Sequence, residues 1–87
     1  MRKEVAYQAI KQTHRAFPSL TGRMIILTAQ QRLGPSFKHK DFMNAAIRYY
    51  EDLRIQGNGN SRKILNGVTD YHKNYLLNQK IARALKN

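Results

Sequence analysis

RIQGNGNSRK, Arg54 to Lys63, separates two apolar-periodic segments. Its middle four residues, Gly57-Asn58-Gly59-Asn60, carry no side chain that can fill a core, and this composition interrupts helices and strands alike. Two architectures hang on it. As a loop, it joins two helices of an all-helical bundle. As the tip of a hairpin at about 53–65, with LRIQ as one strand and SRKIL as the return, it makes the wing of a winged helix. Ile55, Ile64 and Leu65 suit a strand, and all four tip residues tolerate the positive φ of tight turns. Against the hairpin, strands of three or four residues are marginal, and Ile64 also belongs to a longer helical seam. The loop is the preferred reading.

That seam lies downstream. Ile64, Val68, Tyr71, Tyr75, Asn78, Ala82 and Leu85 alternate steps of four and three, a heptad-like pattern that predicts one helix from Arg62 onward. Asn66-Gly67 is a turn pair, so a shorter helix capped by Thr69 or Asp70 is the alternative. Upstream, Phe42, Ala46, Tyr49 and Leu53 predict a helix over His39 to Gln56, with Met43, Ile47 and Tyr50 as a second stripe. Its remaining face carries Lys40, Asn44 and Arg48. Leu20 to Leu33 reads as a helix with Ser19 or Thr21 as N-cap and Gly34 then Pro35 as its stop. Leu20, Met24, Leu27 and Gln31 give one stripe, with Ile26, Ala29 and Leu33 beside it, and the Ile25-Ile26 pair would equally suit a short strand. Arg2 to Phe17 reads as a helix with Ala6, Ala9, Ile10, Thr13, Ala16 and Phe17 on one face. Lys3, Tyr7, Lys11 and Arg15 stand four apart on its other face. The expected fold is therefore all-α, a small bundle of four helices with a helix-turn-helix-like core, forming one domain over 1–87.

Charge bounds the function. Sixteen Lys and Arg oppose five Asp and Glu, a formal net charge of +11 on 87 residues. Self-repulsion of that size costs stability, and an anionic partner is the usual reason it is kept. Nucleic acid is the commonest such partner. No cysteine is present, which removes disulfides, thiolate nucleophiles and Cys-based zinc sites together. No apolar run approaches the roughly 18 residues of a membrane span, and MRKEVAYQAIKQ lacks the apolar core of a signal peptide. A cytoplasmic chain without a membrane role is expected.

Catalytic constellations are absent from the pattern. Glu51 and Asp52 are adjacent and diverge on a helix, so they cannot flank one substrate bond. His14, His39 and His72 have no spacing that seats a metal on one helix face. GNGN has neither the P-loop nor the dinucleotide glycine pattern. No enzyme activity, metal or cofactor is expected.

Nucleic-acid binding has three candidate groupings. The first is Lys3, Lys11 and Arg15, with Tyr7 interleaved. The second is Lys38-His39-Lys40 at a helix start, where cations oppose the helix dipole and cost stability. Free backbone N–H groups there would seat a phosphate, and Asn44 and Arg48 are types that read adenine and guanine edges. The run LTAQQRLGPSFKHKDFMNAAI, Leu27 to Ile47, places Gly34 at the turn of a helix-turn-helix, although Pro35 to Lys38 lengthens the connection. The third grouping is Arg54, Arg62 and Lys63. AIRYYEDLRIQ, Ala46 to Gln56, resembles the core of the MerR-family DNA-binding helix, where an arginine and two tyrosines precede the wing. The Gly-Tyr-Arg wing pattern does not follow, and no membership is claimed. The expected function is a small basic DNA-binding protein, a transcriptional regulator or accessory factor, with duplex DNA favoured over RNA. A helical RNA-binding module and a basic adaptor or inhibitor of an acidic protein are the alternatives. A homodimer through the Ile64 to Leu85 seam is a further expectation.

Overall fold

A computed structural model describes residues 2–86. They form four helices, α1 (Arg2–Ala16), α2 (Gly22–Leu33), α3 (His39–Ile55) and α4 (Ser61–Lys86). The fold is an all-α four-helix bundle, with no strand among the described residues.

Residues 53–65 make no hairpin, because Arg62 to Leu65 are the first turns of α4. The GNGN run closes one helix and opens the next. Gly57 takes φ 72°, and its N–H bonds to the Arg54 carbonyl at 3.0 Å while the Asn58 N–H reaches the Leu53 carbonyl at 2.9 Å. These two bonds make a Schellman cap, which needs a left-handed residue at Gly57. Asn58 Oδ1 then accepts from the Asn60 N–H at 2.9 Å, and the Asn60 carbonyl accepts the first α4 bond, from Ile64 N–H at 3.1 Å. Of the four residues thought able to take positive φ, only Gly57 does so. The carbonyls at the end of α3 are satisfied locally, so no partner strand is needed.

The other boundaries follow similar chemistry. Thr21 Oγ1 caps α2 by accepting from Met24 N–H at 3.2 Å. Gly34 ends α2 at φ 79°, ψ −172°, a backbone region open essentially to glycine alone.

Around the bundle the neighbours are α2, α1, α3 and α4 in a closed ring. The consecutive pair α2 and α3 lies on a diagonal with few contacts, so the two helices that a helix-turn-helix would join are held mainly through α1 and α4. The core is Ala6, Ile10, Ile25, Ile26, Ala29, Phe42, Ala46, Tyr49, Leu53, Ile64, Val68 and their neighbours. The α3 stripe is as expected. On α2 the flanking row is the inward one: Ile26 and Ala29 are buried together with Ile25, while Met24 and Gln31 of the first stripe are exposed. On α1, Tyr7 is buried although it falls in the row of Lys3, Lys11 and Arg15, His14 is buried beside it, and Ala16 and Phe17 at the helix end are exposed because no neighbouring helix covers them.

Helix α4 runs unbroken through Asn66-Gly67. Gly67 is no turn there. It meets Gly22 at the first turn of α2, and a Cβ built on Gly67 would lie 2.3 Å from Gly22 Cα. The glycine pair lets the two backbones touch. Ile64, Val68 and Tyr71 of the seam fill this chain's own core, and Tyr75, Asn78, Ala82 and Leu85 lie exposed beyond it. No helix of the described residues is long and apolar enough to cross a membrane.

Candidate nucleic-acid interface

Tyr7 is where two of the three basic groupings meet. Its ring is buried between α1 and α3, edge-on to Tyr49 at 6.1 Å between centroids. The Arg48 guanidinium lies 4.0 Å from the Tyr7 centroid and Lys11 Nζ 5.9 Å from it. The Tyr7 hydroxyl donates to Asp52 Oδ2. That hydrogen bond, then burial, pushes the phenol pKa up to about 12, so the ring stays neutral. The stripe on α1 and the outer face of α3 thus form one surface, with Lys3, Lys11 and Arg15 along one side and Lys40, Asn44 and Arg48 along the other.

Arg48 is engaged within this surface. Its Nη1 bonds Glu4 Oε1 at 2.7 Å, so reading a guanine edge would require it to leave that carboxylate. Lys40 and Asn44 are exposed without such a tie.

The start of α3 already holds an anion. Asp41 Oδ2 accepts from the Lys38 N–H at 2.8 Å and pairs with Arg2 at 3.3 Å. The Lys38 backbone bond, then Arg2, holds the Asp41 carboxyl below its usual range. A phosphate therefore meets the exposed Lys38 and Lys40 side chains here, with the Lys38 amide taken by Asp41.

The third grouping sits at the opposite end of α3. Arg54 pairs with Glu51 one turn back, at 2.9 Å. Arg62 and Lys63 are exposed on the first turn of α4. A shallow cleft beside the GNGN loop brings Lys11 and Arg15 together with Gln56 and Asn58, whereas Lys63 lines a separate cleft with Thr21, Arg23 and Asp70 beside α2.

Charge is partitioned. Glu4, Asp41 and Glu51 are spent on Arg48, Arg2 and Arg54, and Asp52 on Tyr7. Among the described residues no other lysine or arginine forms an ion pair. Four of the five acids are engaged in this way, Asp70 lies exposed on α4, and most of the cations face water.

One cluster escaped sequence reasoning. His39, at the start of α3, stacks flat on Tyr75 of α4 at 3.7 Å between centroids and 9° between planes. Its Nε2 lies 3.0 Å from His72 Nδ1. His39 Nδ1 is buried with no partner. A proton there would be stranded, so it belongs on Nε2, donating to His72. Spacing along the chain could not find this pair, because its members come from different helices. No group of three His, Cys, Asp or Glu side chains that could hold a metal occurs among the described residues.

No protein-family model, curated protein or solved structure matches this chain.

Proposed function

We propose that this chain is a small DNA-binding protein, a regulator or accessory factor, that holds duplex DNA chiefly by its phosphates. The partition of charge carries this reading. Three acids pair with three surface arginines and Asp52 bonds Tyr7, which leaves every other lysine and arginine of the described residues without a carboxylate partner and free to meet an anionic one. The α1/α3 surface supplies the grip, with Lys3, Lys11 and Arg15 beside Lys38 and Lys40. Asn44 is the exposed side chain of α3 best suited to a base edge. Arg54, Arg62 and Lys63 extend the contact at the far end of α3. Since Arg48 is tied to Glu4, sequence preference rests on few side chains and affinity on many.

Six or more phosphate contacts make affinity fall about a thousandfold or more between about 50 and 200 mM salt. Gel shifts with random duplex, single strand and structured RNA at these two concentrations check it. Lys38→Gln with Lys40→Gln should weaken binding to all duplexes alike and lower the salt slope by about two. A salt-independent affinity would refute phosphate binding, and RNA outcompeting duplex would assign the surface to RNA.

A further inference from the structure

Helix α4 outruns the bundle. From Lys73 to Lys86 every residue except Asn74 is exposed, and the molecule is 47 Å long against 25 and 19 Å across. Tyr75 still stacks on His39, and at 1.5 Å per residue the part beyond it is about 16 Å long. Leu77, Ile81 and Leu85 stand four apart along it, exposed by 54%, 49% and 82%. A step of 100° per residue puts Lys73 and Lys80 on one border of this stripe and Asn78 on the other. Asp70 is the last acid of the chain, so Lys73, Lys80, Arg83 and Lys86 have no counter-charge on the projection.

Three occupants fail on physical grounds. Phosphates would neutralise the lysines and leave the leucines wet. A second copy would set the same four cations against themselves. The 14 residues from Lys73 to Lys86 also fall short of the roughly 20–30 residues a side of a standard interface. A lipid surface needs a broad apolar face with cations on the opposite side, whereas here Lys73 and Lys80 lie between the exposed Leu76 and the Leu77 stripe, inside the apolar arc. A groove has walls, covers the flanks of an inserted helix and reads apolar anchors one turn apart. Carboxylates on its rim would meet the four cations.

We propose that the distal half of α4, Lys73 to Lys86, is a docking helix that inserts into an apolar groove on an acidic protein. This surface is separate from the α1/α3 face, and the proposal does not depend on DNA binding. Calcium-loaded calmodulin is a suitable probe, because it is acidic and opens an apolar groove only with calcium. Titration of the full chain should give a one-to-one complex with the calcium form and binding about tenfold weaker or worse in excess chelator. Leu77→Ala with Ile81→Ala, and separately Lys80→Gln with Arg83→Gln, should each weaken it by about tenfold or more. All four residues are exposed, so the bundle should melt unchanged. Equal binding to both calmodulin forms, or no effect of the alanine pair, would overturn the proposal in favour of charge alone. A dimer by sedimentation that the alanine pair dissociates would assign the stripe to a second copy. Capture by phosphatidylserine vesicles that the same pair abolishes would assign it to lipid.

Discussion

Gly67 shows how far a residue's meaning depends on what faces it. Glycine inside a helix costs about 1 kcal/mol relative to alanine, and next to Asn66 it resembles a turn. Here the missing side chain lets α4 lie against Gly22. Gly67→Ala gains helix propensity but drives a methyl into backbone that cannot swing aside. Overpacking costs about 1–3 kcal/mol, occasionally more, so a net loss of about 2 kcal/mol is expected from urea unfolding. Gly59 is the matched control, since nothing lies within 4 Å of a Cβ built there and its φ is not positive. Gly59→Ala should be neutral or stabilising by about 0.5 kcal/mol.

At the scale of elements, the amino ends and stops of the helices were legible, because caps are local chemistry. Thr21, Gly34 and Gly57 sit where their types predict. The α3 stripe was legible too, since four large or small apolar residues in one row leave a single inward face. Helix α2 was not: Ile25 and Ile26 fit either side of the row through Met24, and only the position of α1 and α4 chose between them. The His39–His72 pair likewise belongs to the docking of α3 on α4. Burial first, then His72, lowers the His39 pKa, and burial lowers that of His14. Both groups resist protonation in the fold, so the unfolded chain binds more protons once pH falls below about 6.5. Stability should be full above that pH and decline as pH drops through it toward the folded values. His39→Gln should flatten the decline in urea midpoints between pH 7.5 and 5.5, leaving the share due to His14.

For the whole molecule, net charge governs both stability and binding. With +11 on a bundle this small, like charges repel across its surface and screening relieves them. The melting temperature of the free protein should therefore rise between about 50 and 300 mM sodium chloride, over a range in which DNA affinity falls. Calorimetry on the protein alone checks it, and a melting temperature that falls with salt would mean that the three ion pairs outweigh the repulsion. Of the candidate site, the exposed polar row of α3 was readable from helical spacing, as Lys40 and Asn44 show. The engagement of Arg48 by Glu4 and the capping of α3 by Asp41 were less so, since the first partner comes from another helix and Arg2 crosses from α1 to reinforce the second.

The sequence by itself determined the helical segments, the break at Gly57 to Asn60 and an excess of cations, which follow from short-range periodicity, caps and composition, while it left a hairpin at about 53–65 and a shorter last helix open. Tertiary structure decided which face of α2 is buried, the contact of Gly22 with Gly67, the meeting of His39 with His72, and the point at which α4 leaves its core. Each of these depends on the distance between side chains remote in sequence, and no local pattern contains that distance.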